Sequence, residues 1–519
     1  MKIGIKIIFS VLILVFLASC ATPNQQSSHG IPTISIAISG DANAEKLDAT
    51  SYDSDMPLYG AVYESLVQYG EKGAYTSGLA DSWEISEDGK KYTFHLKKDS
   101  KFSDGSTFDA EAVKFTIERA KIKNETTTLQ TLINLEKIEV LDSYTIVLYF
   151  KEPSNQVLAE LSQTRPLRIM SPHSVENNVV TGVFKEAIGT GPFKIKEFTS
   201  EQVTMEPNPY FNGNQPVTYQ IKFKTIEDGS SRTLALKSGE VDIVGGTLGN
   251  ITEKDSELLE ADASFTVHAF KGTMSHFLAF NPENPALKSP IRQAMDSAIN
   301  KKELSTKQLN GLFRDNVEYV TSDNQPTSTY DLKKAQSILE QEGFQKNSQG
   351  YYEKEGKELA FKLVIQTTEF PEWKEQAEVI ESELKKAGIK VTITILDSES
   401  YYDVLWNTKD FDLIFYRTYT DALLPYNFLN SLFHNTAESH GVLADDVALT
   451  KLLDQSALTI NETTQQEIFD GILKRINQET LAIPIDYKDE IFVTSEKIAE
   501  FSYSGLSDAP IDFKNIKVK

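Results

Sequence analysis

Across 519 residues the chain carries a single cysteine, Cys20, so no intramolecular disulfide can form. Tryptophan is nearly as scarce, at three residues, and methionine is held to six. The seven histidines are scattered, and no two stand at a close metal-ligand spacing, which weakens the case for a directly chelated metal. Positive charge is short: 52 basic against 75 acidic side chains leave a net charge of −23. Such a field repels nucleic acid and anionic headgroups and favours solubility. Catalytic signatures are also missing. There is no G-x-S-x-G elbow, no H-E-x-x-H pair and no Walker A loop, and Gly189-Thr190-Gly191 runs into Pro192-Phe193 where a dinucleotide motif would open a helix. An enzyme is therefore not expected, and a secreted hydrolase is the least favoured class. Past the N-terminus no apolar run approaches the length of a membrane span.

What is present begins at that N-terminus. Lys2 and Lys6 precede the apolar run Ile7 to Leu17, and Leu17-Ala18-Ser19-Cys20 follows. Small residues before a cysteine resemble the lipobox of bacterial lipoproteins. The resemblance implies a signal peptide over 1–19, lipidation of Cys20 and, over 20–30 (CATPNQQSSHG), a flexible tether. Acyl chains on Cys20 would anchor the protein to a membrane without a transmembrane helix.

The chain length suggests two or three domains. The stretch from Leu79 to Ala120 organises the first of them. Trp83 to Ile85 can belong to a strand, Glu87-Asp88-Gly89-Lys90 to a tight turn, and Tyr92 to Leu96 to a half-buried strand. Asp104-Gly105 makes a second turn, and Asp109 caps a helix whose apolar stripe includes Ala112, Val113 and Ile117. Further strands are expected at Ile31 to Ser39, on both sides of Asp142-Ser143, and at Phe193 to Phe198. A helix running to an apolar close is expected from Met56 to Val67, and a short helix from Val157. Beyond Phe277 the pattern alternates. Helices are expected at Ile291 to Ile299, Asp331 to Phe344 and Glu375 to Gly388, and strands at Phe277 to Asn281, Leu359 to Gln366, Val391 to Leu396 and Leu413 to Tyr416. That alternation argues for an α/β lobe. Leu481 to Asp486 and Ile491 to Thr494 are read as strands returning the chain to the first lobe.

The order of residues in LADSWEIS, DGKKYTFHLKKDSKFSDG and FDAEAVKF resembles the bacterial extracellular solute-binding proteins that serve peptide and nickel ABC transporters (family 5). Gly189 to Ile195 and Arg232 to Ile243 are further matches. The resemblance implies an α/β, two-lobed, periplasmic-binding-protein-like fold (class II, cluster C type), with an extra subdomain in lobe I and the ligand buried between the lobes. The expected layout is lobe I over 31–267 with an inserted subdomain at about 66–190, lobe II over 268–486, and a return to lobe I over 487–519. Hinge closure is the expected motion.

The same resemblance nominates a site. Arg165-Pro166-x-Arg168 is similar to the segment of nickel-binding members that supplies an arginine for a chelator carboxylate. Arg165 is the matching position and Arg168 is its companion. A guanidinium holds a carboxylate through two parallel hydrogen bonds, and without the resemblance pairing with a surface acid is the simpler reading. Arg417-Thr418-Tyr419, after the strand from Leu413, is similar to a pocket segment of that branch. Tyr419 stands where the best-known member has a tryptophan, and Asn427 is expected on the same loop. Met56 matches a pocket methionine, although core packing is the commoner use. A second pocket tryptophan of the branch falls near Thr128 or Leu129, where no aromatic is present. Its metal-binding histidine corresponds to His434 or His440. The expected function is a lipid-anchored carrier on the extracytoplasmic face of the membrane, binding Ni(II) or a related metal in a small organic chelator. It would have no cofactor of its own, act as a monomer with ABC permease subunits and bind no nucleic acid. An oligopeptide carrier and a metallophore carrier for nickel, cobalt or zinc are the alternatives.

Overall fold

Thr33–Ile38 alternates apolar and polar residues and buries Ile34, Ile36 and Ile38, so it sits inside a sheet rather than at its edge. In the computed structural model, which describes residues 31–40, 43–52, 56–125, 127, 129–213, 215–307, 309–325, 328–418, 425–434 and 442–519, this strand is the centre of a seven-stranded mixed sheet. The order is Phe265–Phe270, Glu490–Ser495, Ile243–Gly245, Thr33–Ile38, Gln220–Thr225, Gln202–Pro207 and Phe193–Phe198. Thr33–Ile38 runs parallel to Gln220–Thr225, with Ile34 opposite Ile221.

A second sheet of five strands follows the order Lys390–Leu396, Ala360–Gln366, Leu413–Arg417, Ser275–Phe280 and Ala482–Tyr487. The first three are parallel, and Ser275–Phe280 is antiparallel to its two neighbours. The helix Trp373–Ala387 connects the parallel strands Ala360–Gln366 and Lys390–Leu396, and Gly388 at φ 87° closes it. The architecture is therefore α/β and two-lobed. The chain passes between the two sheets at 271–274 and again at 488–489.

One strand departs from the expected path. Ala482–Tyr487 does not return to the first lobe; it stays in the five-stranded sheet, with Ala482 opposite Ala279. All six of its residues are buried, and an apolar strand covered on both faces is stable only inside a sheet. Glu490–Ser495 makes the return instead, pairing with Phe265–Phe270 and Ile243–Gly245.

A four-stranded antiparallel sheet lies within the first lobe, in the order Ala80–Ile85, Lys91–Leu96, Thr145–Phe150, Leu135–Asp142. Its core is separate, built from Leu66, Phe94, Phe102, Val113, Ile117, Leu148 and others. The helix Ala110–Lys123 covers it and starts where Asp109 accepts the Ala112 N–H at 3.1 Å. Inside the first lobe a buried ion pair fixes this helix. Arg119, 1% exposed, donates to Asp48 Oδ2 at 2.7 Å and to the carbonyls of Val180 and Gly182. Lys123 and Thr50 also bond Asp48 and, with Arg119, hold its carboxyl below the usual range against the effect of burial. None of the helices among the described residues is long and apolar enough to cross a membrane.

Candidate functional site

The helix Val157–Ser162 packs Val157, Leu158 and Leu161 into the small-sheet core, and the loop that follows carries both nominated arginines. Glu160 is on that helix and is fully buried. It accepts the N–H groups of Gln130 at 2.9 Å and Thr131 at 2.6 Å. Those are orphan donors at the start of the helix Gln130–Ile133, whose own N-cap, Leu129, offers no side-chain bond. Leu129, the position near the missing tryptophan, is itself buried. Thr128 lies outside the described residues.

Arg165 and Arg168 diverge. Arg165 is half-buried, its guanidinium 6.0 Å from the Tyr52 ring centroid and its Nη1 donating to the Tyr52 carbonyl. Arg168 is 8% exposed and donates from Nε to the Gln163 carbonyl at 3.0 Å and from Nη1 to the Tyr63 carbonyl at 3.2 Å. Burial pulls its pKa down, and the negative charges of Asp508 and Glu64 work the other way. Immediately before Arg165, Thr164 donates to Asp508 Oδ1 at 2.9 Å, tying the loop to the C-terminal segment. Arg168 lines a cavity of about 160 Å³ together with Tyr63, Glu64, Ser162, Ser504 and Lys514. Met56 opens the helix Met56–Val62 and is half-buried.

In the second lobe Arg417 closes the buried strand Leu413–Arg417, opposite His276. Its guanidinium stacks 4.7 Å from the Tyr416 ring centroid, lies 5.8 Å from Phe370, and donates from Nη2 to the Tyr402 hydroxyl at 3.1 Å. Tyr402 in turn donates to Glu369 Oε2 at 3.2 Å. Burial, with the Lys488 and Arg417 cations nearby, holds the His276 pKa well below the usual value. The ring is neutral, and since Nδ1 accepts from the Trp373 indole at 3.0 Å, its proton is on Nε2.

Asn427 is not on a loop. It lies in the helix Pro425–Phe433, which opens on a proline and buries Phe428, Leu429, Leu432 and Phe433 at helical spacing. Proline at the first helical position and that spacing together make the segment helical from its start. Tyr419 and His440 lie outside the described residues, as does Cys20. His434 Nε2 is 2.8 Å from Asp454 Oδ1. Among the described residues no group of three or more His, Cys, Asp or Glu side chains is placed to hold a metal ion.

The lobes meet where these elements meet. The Asn427 amide lies beside the Glu160 carboxyl, and Gln130 Nε2 donates to the Tyr426 hydroxyl at 3.4 Å. The second-lobe helix thus docks on the helix that leads into Arg165. Away from it, Asn155 Nδ2 donates to the Ser456 carbonyl at 3.1 Å. Tyr52 and Asp508 were not legible in the sequence as neighbours of this loop. Tyr52 and Asp508 come from 113 and 344 residues away from the loop residues they bond, so no local pattern reveals them. Glu160 did leave a signal, a carboxylate among apolar neighbours in VLAELS.

Over residues 74–440 the chain matches the bacterial extracellular solute-binding proteins, family 5, middle region. It is 29% identical over 471 residues to the nickel-binding periplasmic protein of Escherichia coli K12, covering 88% of this chain and 89% of that one. It is 23% identical over 491 residues to the probable D,D-dipeptide-binding periplasmic protein DdpA of the same organism, covering 91% and 92%. The crystal structure of NikA from Brucella suis in complex with Fe(III)-EDTA superposes with a TM-score of 0.85 at 28% identity, over 93% of this chain and 100% of that one. The fold, the docking of the lobes and the match along most of the length agree: the chain belongs to the bacterial extracellular solute-binding proteins of family 5.

Proposed function

We propose that the protein is the solute-binding component of an ABC importer that captures a nickel or related transition-metal chelate between its two lobes. One observation carries the reading: Arg165 is seated on the Tyr52 ring at the end of the helix on which the second lobe docks. A guanidinium stacked on an aromatic face can still offer paired N–H groups to a carboxylate, and a chelator carboxylate fits that fork. A chelate also brings its own metal donors, so the protein supplies charge and shape rather than a full ligand set. Tyr419 and His440, which flank Pro425–Phe433 in the sequence, would complete the pocket, with Arg417, Asn427 and His434 on the same lobe. Met56 and Arg168 support the first-lobe wall. The nickel-binding relative and the chelate-bound NikA favour this reading. The D,D-dipeptide-binding relative keeps an oligopeptide carrier as the second reading, and a metallophore carrier for nickel, cobalt or zinc lies between the two. In this proposal Cys20 carries the lipid anchor, the protein works as a monomer on the extracytoplasmic face, and the permease recognises the closed lobes.

Ligand stabilises the closed form only by the difference in its affinity for the two forms. Calorimetry should therefore show Ni(II) binding far more tightly with histidine or another carboxylate chelator than as the aqua ion. Equal affinities would sink the chelate reading. Tight binding of mixed tetrapeptides without metal would move the assignment to the peptide carrier.

A further inference from the structure

Two carboxyl groups sit where the lobes touch, one contributed by each side and each covered by the other. Glu160 belongs to the first lobe. It is 0% exposed, and the second lobe closes over it with the Asn427 amide and Tyr426, whose hydroxyl feels both Glu160 and Asp454. Glu318 belongs to the second lobe and is covered from the first. A side chain added to Gly73 would overlap its carboxyl, and Tyr75 on the same loop feels its charge along with those of Tyr69, Tyr319 and Glu160. From its own lobe Glu318 meets the Tyr319 hydroxyl and the like charge of Glu462. Parting the lobes would remove Asn427 and Tyr426 from one carboxyl and Gly73 and Tyr75 from the other, bringing both closer to water.

We propose that closure of the two lobes takes up protons at Glu160 and Glu318, so that acid favours the closed form and alkali favours opening. This holds whichever ligand the cleft takes. Removing a carboxyl from water disfavours its charged form, and among the described residues neither contact replaces that water with a cation facing it. Burial pushes Glu160 up to about 7, with the bonds from Thr131 and Gln130 and the nearby Asn427 amide opposing the shift. It pushes Glu318 up to about 7 as well, with Tyr319 opposing and Glu462 adding to it. On opening, both groups would move back toward the ordinary value of 4.5, with Glu160 still bonded by the Gln130 and Thr131 N–H groups of its own lobe. The closed form then binds the proton more tightly. Its advantage is complete below about 4.5, is lost as pH rises through about 7, and is flat above that. Inside the window each carboxyl can change the closing equilibrium by at most about tenfold per pH unit.

Small-angle scattering of the ligand-free full chain at about pH 5.5 and about pH 8 tests this, because both lie where the sign is fixed. The wild type should have the smaller radius of gyration in acid. The Glu160→Gln/Glu318→Gln double variant keeps the neutral form at both values and should be equally compact at both. Glu318→Gln alone, at a half-buried position, guards against misfolding and should halve the response. A pH response unchanged in the double variant, or none in the wild type, overturns the proposal. Titration with nickel–EDTA near pH 6 in buffers of different ionisation heat should show uptake of one to two protons, lost in the double variant. Absence of nickel–EDTA binding would count against the chelate reading alone, since the scattering result decides proton coupling without ligand.

Discussion

Two arginines three residues apart, Arg165 and Arg168, have the same chemistry and opposite surroundings. Arg168 is sunk into the first lobe, its donors spent on the carbonyls of Gln163 and Tyr63. Arg165 rests half-buried on the face of Tyr52. Arg168 is tied to the backbone of its own lobe, and in the proposed site Arg165 is the one that meets the carboxylate. Sequence proximity therefore does not imply a shared role. In the proposed site the pair divides into a supporting residue and a binding residue.

The largest test of that division is Arg165→Ala. Chelate affinity should fall by about 2–5 kcal/mol, the range for removing one partner of a desolvated charge pair. Thermal stability should hardly move, because the half-buried side chain is not part of a core. Calorimetry and a melting curve on the same sample check both halves. Unchanged affinity would remove Arg165 from the site.

Arg168→Ala should reverse the pattern. Two buried carbonyls lose their donor, and each orphaned group costs about 1–3 kcal/mol. The melting midpoint should drop clearly, while the folded fraction still binds chelate with near-normal affinity. A variant as stable as the wild type but unable to bind would place Arg168 in the pocket.

The contrast also shows what was legible in the sequence. Periodicity and caps located Lys91–Leu96, the helix after Asp109, Phe193–Phe198, and the helix after Asp331, where Asp331 accepts the Lys334 N–H. Those are local signals, complete within a few residues. The helices Val447–Leu458 and Glu462–Gln478 carry the same kind of local signal in their caps Asp446 and Asn461. Asn427, expected on a loop from the resemblance to a pocket segment, lies instead in the helix that the proline and the apolar spacing of Pro425–Phe433 encode. Ala482–Tyr487 was misassigned for another reason. A strand announces its own extension but not which sheet receives it, and that choice depends on Ser275–Phe280, some 200 residues earlier. The division between Arg165 and Arg168 was equally invisible, since it is set by Tyr52, Tyr63 and Asp508, all distant in the chain.

The smallest effect sharpens the comparison most, because it separates two things that hold Arg165. Tyr52 contributes a ring beneath the guanidinium and a backbone carbonyl that accepts from Nη1. Tyr52→Leu removes the ring and keeps the carbonyl. A cation–π contact at a partly exposed site contributes about 0.5–1 kcal/mol, so chelate affinity should weaken by no more than about fivefold. The melting midpoint should stay put, as Tyr52 is itself 38% exposed. If the ring serves only to orient Arg165, then Tyr52→Leu should have no effect on affinity in the Arg165→Ala background, since there is no guanidinium left to orient. If instead the ring touches the ligand directly, the two losses should add. The double-mutant cycle therefore distinguishes an aromatic that positions the arginine from one that forms part of the pocket wall.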